Sequence, residues 1–414
     1  MNRFVIIATT LLLGCVSCGK VEGNAPEEKE SIDNSYNGLE LSTKSENYVR
    51  QGNTFAFRFL SRVNATSEGN YLISPLSMQF LLGMILNGAQ GTTADEICHV
   101  LGYGAGEVEA MNDFALSTLK QLPFLDKSTT LNIANAVVVN QNYPILDSYK
   151  TAVTTNFEAE VSNRDFQDSA TLRDINRWAN DKTNGMIPDI MDELDPAALA
   201  YLMNAIYFKG QWTAPFSKDN TSKEPFTGEN GEQVDVQMMK REGEDIGYLE
   251  NNRFRAVNLT YGESPAFSMT ILLPTEGFKL SDVIEALGET DWKESIQSMR
   301  PGRTVNLWLP KFETSSHFTL NDILSEMGMP LAFGAAADFR AMSDYALCLS
   351  AVLQDSVIKV DEEGTEASVV STGVITTSYV PPVDFHADRP FLYLISESST
   401  GAILFAGKFT GNND

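Results

Sequence analysis

His99, His317 and His386 are the only imidazoles in the chain, and they are scattered rather than set beside a nucleophile. No G-x-S-x-G nucleophile elbow, H-E-x-x-H zinc helix or G-x4-G-K phosphate loop occurs. The nearest phosphate-loop string, Gly401 to Gly407-Lys408, has one residue too many, runs on into Phe409 and reads as a buried strand. Gly102-Tyr103-Gly104-Ala105-Gly106 lacks a strand-to-helix context and reads as a loop. The paired carboxylates Glu362-Glu363 and Asp192-Glu193 follow from an acidic composition and read as solvated faces. Cys98 and Cys348 lie in apolar contexts, so buried free thiols are expected rather than a metal cluster or a redox pair. No catalytic constellation, metal site or cofactor is expected.

The chemistry that remains is that of a segment offered to something else. Val357, Ile358 and Val360 read as a strand running into the acidic turn Asp361-Glu362-Glu363-Gly364. From Thr365 to Val380 the residues are small or β-branched, with Glu366 the single charge, and Pro381-Pro382 ends the run. Such a stretch has strand propensity, yet its length and the proline pair favour an exposed, extended loop.

The elements that must position this segment are mixed. Phe55, Phe59, Leu60 and Val63 share a helical face. Ser74-Pro75 opens a second helix that Gly88 stops, and Thr171 with Asp174 starts a third, carrying Ile175, Trp178 and Ala179 to Gly185. Met269–Leu273, Val305–Leu309, Leu392–Ser396 and Ala402–Phe409 read as strands, and Glu229-Asn230-Gly231 as a tight hairpin. Strands without regular βαβ alternation imply an α+β domain with mainly antiparallel sheets.

Of 414 residues, 43% are apolar and 21% charged, enough to bury a large core and too ordered a composition for disorder. A net charge of −25 repels phosphate backbones and anionic lipid, which argues against nucleic acid as a partner. Only the N-terminus is suited to a membrane. Arg3 precedes the apolar run Phe4–Leu13, a signal core too short to span a bilayer, and Leu12-Leu13-Gly14-Cys15 resembles a bacterial lipobox. The expectation is a signal peptide over residues 1–14, lipidation at Cys15, and a flexible acidic stalk over 15–44. Cys18 is the alternative lipidation site, which would extend the signal to residue 17. The body is expected to be residues 45–414, and the protein is expected to be exported and anchored at the outer membrane or surface of a Gram-negative bacterium.

Several motifs, in order, resemble the serpins, the serine-protease-inhibitor superfamily. Asp361-Glu362-Glu363-Gly364-Thr365-Glu366-Ala367 looks like their loop hinge, continuing through Ser368, Val369 and Val370. Phe385-His386-Ala387-Asp388-Arg389-Pro390-Phe391 looks like the segment after the reactive loop. Asn204 to Trp212 resembles the strand end near the top of the main sheet, the breach, and Ile73-Ser74-Pro75-Leu76-Ser77 the start of the shutter helix. Ile175-Asn176, Thr183-Asn184-Gly185, Leu309-Pro310-Lys311-Phe312 and the ending Gly401 to Gly407 fit in order.

The resemblance implies a single α+β domain with three mainly antiparallel sheets, eight or nine helices and an exposed reactive-centre loop. It also implies inhibition: a protease cuts the loop, is held as an acyl-enzyme, and is trapped as the loop inserts into the main sheet. Insertion needs alternate side chains that suit a core. If Thr365 faces inward, so do Ala367, Val369, Ser371, Gly373 and Ile375, all neutral. By the family count the bait bond is Ser378–Tyr379, sixteen residues past Glu362, with Thr376 or Thr377 as alternatives. Small residues there suit elastase-like or subtilisin-like serine proteases, with papain-like cysteine proteases as a further class, and no Arg or Lys between Thr365 and Tyr379 invites a trypsin-like one. A non-inhibitory serpin acting as a carrier is the alternative. Where many serpins have a shutter histidine, eight residues before the hinge glutamate, this chain has Gln354, which implies a different or pH-insensitive network. Lys120 is the only base from Leu101 to Asp126, so no heparin-like activator is expected, and the protein is expected to be a monomer.

Overall fold

A computed structural model describes residues 38–299, 303–364 and 381–411. Cys15, Cys18, the hinge residues Thr365 to Val370 and the bait candidates Thr376 to Tyr379 lie outside the described residues. Numbered in chain order, the helices are α1 (Thr43–Thr66), α2 (Pro75–Gly88), α3 (Gly91–Leu101), α4 (Val108–Gln121), α5 (Asp147–Phe157), α6 (Ser169–Lys182), α7 (Leu280–Gly288), α8 (Trp292–Ser298) and α9 (Asn321–Met327). The first eight strands are β1 (Tyr71–Ile73), β2 (Thr130–Asn140), β3 (Glu160–Arg164), β4 (Ala200–Lys209), β5 (Thr221–Thr227), β6 (Gln233–Asp245), β7 (Gly247–Glu250) and β8 (Phe254–Tyr261). The remainder are β9 (Phe267–Pro274), β10 (Thr304–Pro310), β11 (Phe312–Thr319), β12 (Leu353–Val360), β13 (Val383–His386), β14 (Phe391–Glu397) and β15 (Ile403–Phe409).

The fold is α+β, as the sequence implies. Its hydrogen bonding divides the described strands into four sheets: six strands in the order β1-β15-β14-β9-β8-β7, four as β13-β10-β6-β5, three as β3-β2-β4, and two as β11-β12. Three sheets were the expectation. The difference lies at one place: β4 and β12 run side by side without sharing a ladder, so what would be one sheet is opened into two.

Helix α2 sits beneath this opening. Ser74 caps it by accepting from the Ser77 amide, Pro75 supplies a preset first turn, and nearly every side chain of the helix is buried. Phe55, Phe59, Leu60 and Val63 of α1 join the same core, together with β14 and β15, whose residues are buried throughout. A second cluster lies on the opposite face, where Ile175 and Ala179 of α6 and Ile187 to Met191 cover Ala136, Val138 and Met203. That cluster explains why β2 and β4 bury side chains on both faces.

Three local expectations are corrected. α6 begins at Ser169 with Asp168 as its cap, accepting from the Ala170 amide at 2.8 Å, while Thr171 donates its hydroxyl to the Asp165 carbonyl. Cys98 is buried and its thiol pKa is pushed up by burial, but Cys348 is exposed. Glu362 is buried rather than solvated, whereas Asp192 and Glu193 are exposed.

Candidate functional site: an open seam and its hinge

The direction of the two strands follows from where they make contact. Asn204 of β4 and Gln354 of β12 both reach the N-terminus of α2. Gln354 accepts from the Ser74 amide at 3.0 Å and donates to the Ser74 carbonyl at 2.9 Å. Asn204 is hydrogen-bonded to the Ser77 hydroxyl and donates to Asn135 on β2 at 2.7 Å. Asn135 in turn donates to the Phe157 carbonyl at 2.7 Å, and the Ser74 hydroxyl to the Leu404 carbonyl at 2.7 Å. Further along the chain, the Trp212 indole donates to the Asp361 carbonyl at 3.0 Å. Both strands therefore run from the polar cluster toward the same end, parallel to each other. Among the described residues, the two strands share no ladder across the seam.

The chain leaves β12 through a tightly held turn. The Trp212 amide donates to the Glu363 carbonyl at 3.2 Å, and the Phe216 amide to the Glu362 carbonyl at 2.8 Å. Gly364 forms antiparallel bridges with both Gln211 and Asp361. It must be glycine: φ is +99°, and a Cβ there would lie 2.3 Å from the Trp212 amide nitrogen. Trp212 stacks on Tyr261 with ring centroids 4.3 Å apart and planes 14° from parallel.

Glu362 anchors the turn electrostatically. Its side chain is 5% exposed, with one oxygen 2.7 Å from the Lys311 ammonium and the other accepting from the Thr221 hydroxyl at 2.8 Å. Burial pushes its carboxyl pKa up, but Lys311, the backbone and Thr221 outweigh that and hold it below the ordinary glutamate range. Glu363 pairs instead with the exposed Lys218. Lower on β12, Asp355 meets His317 of β11 at 2.6 Å, and burial raises the Asp355 pKa.

The structure thus brings together Ser74, Ser77, Asn204 and Gln354 in one network, and Trp212 with Glu362, Glu363 and Gly364 in another. Sequence reasoning did not assign roles to Asn135, Lys311, Thr221 or Tyr261. None of the four stands out in the sequence, because each meets the hinge or the polar cluster only through the fold. Among the described residues no group of three or more His, Cys, Asp or Glu side chains is arranged to hold a metal, and no helix is long and apolar enough to cross a membrane.

Fold and site together define an α+β protein in which, among the described residues, two parallel strands lie side by side without a shared ladder and meet at one buried hinge. The family model for Serpin (serine protease inhibitor) matches residues 50–411, and the chain belongs to the serpins. Iripin-3 of Ixodes ricinus is 33% identical over 371 residues, which are 86% of this chain and 92% of that protein. A leukocyte elastase inhibitor of Xenopus laevis is 31% identical, over 86% of this chain and 97% of its own length. Among solved structures, the thermophilic serpin Tengpin in its native state superposes with a TM-score of 0.80 at 28% identity, covering 91% of this chain and 96% of that one.

Proposed function

We propose that this serpin is a suicide inhibitor of proteases, presented from a lipid anchor. The observation that supports the reading is the seam: two parallel strands that share no ladder among the described residues, both ending at the hinge where residues 365–380 begin. Cleavage frees the N-terminal half of that segment to enter as the missing strand. Each residue that pairs adds about 1 kcal/mol net, so ten or more supply a large driving force. A protease still esterified to the cut end travels with it.

The bait bond is Ser378–Tyr379, with Thr376 and Thr377 as neighbouring alternatives, and the targets are elastase-like or subtilisin-like serine proteases. A relative named for leukocyte elastase supports that class, and papain-like cysteine proteases come second. The anchor is a lipidated Cys15, or Cys18, which places the inhibitor outside the cytoplasm, at the outer membrane or cell surface.

The test mixes residues 45–414 with an elastase-like, a subtilisin-like, a papain-like and a trypsin-like protease. The expected result is a covalent complex that survives denaturant with the first two, and loss of Tyr379–Asp414, 36 residues, on denaturation. Clean cleavage without complex across all four overturns the inhibitory reading.

A further inference from the structure

Along β12 the side chains alternate between two faces. Gln354 and Ser356 are buried toward α2, while Leu353, Asp355 and Val357 share the opposite face. That opposite face is covered. Leu353 and Val357 pack against the second core cluster, which Ile187, Ile190 and Met191 form together with α6. Asn176 of α6 carries this covering segment: its amide donates to the Met191 carbonyl at 2.9 Å, and its oxygen accepts from the Ile190 and Met191 amides at 3.1 Å each. Met203 and Tyr201 of β4 belong to the same cluster, so one cover spans both strands of the seam.

Between the apolar Leu353 and Val357 the chain sets a carboxylate. The Asp355 side chain is only 9% exposed, with Oδ1 2.6 Å from Nδ1 of His317, its direct partner across the β11–β12 ladder. The other oxygen, Oδ2, is buried without a hydrogen-bond partner among the described residues. The charged groups of the covering segment, Asp189, Asp192 and Glu193, are all acidic and exposed. Glu313 of β11 and Lys359 of β12 face each other four rungs further along. Burial raises the Asp355 pKa, Asp192 adds to the rise, and His317 opposes both.

The two partners respond unequally to a proton. His317 is 54% exposed, so water solvates its ring in either charge state. Asp355 has no such refuge. When the imidazole loses its proton, the carboxylate stays buried, without an opposite charge and beside an acidic segment. When Asp355 itself is protonated, the burial of a charge no longer has to be met. Both steps have one sign: the contact is firm in acid and weakens as pH rises through the range in which imidazoles titrate. We propose that His317 and Asp355 form a proton-operated catch that fastens the Ile187–Met191 cover to β12, closed in mild acid and released as the medium turns alkaline. One strand thereby carries two ties: Gln354 holds it to α2 without titrating, and Asp355 holds it to the cover in a way that pH controls.

The test is amide hydrogen exchange on the intact full-length protein, corrected at each pH for the exchange rate of an open chain and read at the Ile190 and Met191 amides. From about pH 5.5 to about pH 8.5 their protection is expected to fall at least ~10-fold, while that of Phe391–Glu397 in β14 holds. His317→Lys keeps its charge throughout and is expected to leave protection high and level. His317→Gln is expected to leave it low and level, and Asp355→Asn, which removes the buried charge, high and level. Unchanged protection in β14 establishes that each variant is folded. A pH dependence that survives in either His317 variant overturns the proposal, as does a level profile in the parent. A fall that β14 shares in equal measure is loss of the whole fold and overturns it too.

Discussion

Gly364 is held by a backbone conformation and by lack of space at the same time, so the smallest possible substitution is informative. Gly364→Ala places a methyl against the Trp212 amide and strains a positive φ. The expected result is loss of the Gln211 bridge and a shift of Trp212 emission as its stack on Tyr261 loosens, read by fluorescence on the intact protein. Glu362 adds a charge to the same turn. Because its folded pKa lies below its unfolded value, its contribution is complete above the unfolded value and fades as pH falls from about 4.3. Lys311→Met removes the partner and leaves a nearly buried carboxylate, at a cost of about 1–3 kcal/mol that urea denaturation at pH 7 measures. The same titration repeated toward pH 3 should show the difference between parent and variant shrinking. A constant difference would detach the stabilisation from Glu362.

At the scale of elements, β12 is tied to α2 by an amide that does not titrate. Gln354→Leu leaves the Ser74 amide and carbonyl buried without partners and is expected to cost about 2–4 kcal/mol in equilibrium unfolding. Gln354→His restores a hydrogen-bonding ring and makes stability fall with acidification near pH 6, where the parent's stays flat at this site. These elements differ in how far the sequence disclosed them. The strand-to-hinge transition at Val360–Gly364 and the cap at Ser74 were legible because a turn and a helix start impose residue types locally. β2 was not, because Asn132, Ala134, Asn135 and Ala136 interrupt the β-branched pattern, and both its faces are covered by other parts of the chain. The start of α6 was misread by three residues because Thr171 also suits a cap, and only the loop carbonyl of Asp165 decides against it. Burial of Glu362 and exposure of Cys348 are set by Lys311 and by the path of residues 343–352, neither of which leaves a local mark. The seam itself is an absence of pairing, and no residue pattern in β4 or β12 declares it.

For the whole molecule, the proposed insertion would add backbone bonds that β4 and β12 do not make with each other among the described residues. Cleavage in the loop is expected to raise the thermal midpoint by at least ~10 °C, since some ten added backbone bonds are worth about 1 kcal/mol each. Scanning calorimetry of intact and cleaved protein checks this, and an unchanged midpoint would argue against strand insertion. The net charge of −25 works at the same scale. Encounter with an acidic protease should speed up as salt screens the repulsion, and encounter with a basic one should slow, which stopped-flow at 20 and 200 mM salt distinguishes.

A bait bond at Ser378 divides the chain so that β13, β14 and β15 all belong to the shorter piece. β14 lies between β9 and β15, and β15 between β14 and β1, with every residue of both strands buried. The cut therefore ends covalent continuity without detaching anything. The short polypeptide would then remain as a subunit, and one chain would become two, with their interface in the middle of a single core. Where cleavage occurs without a trapped protease, size exclusion is expected to report one particle, and dilution is not expected to separate the two pieces.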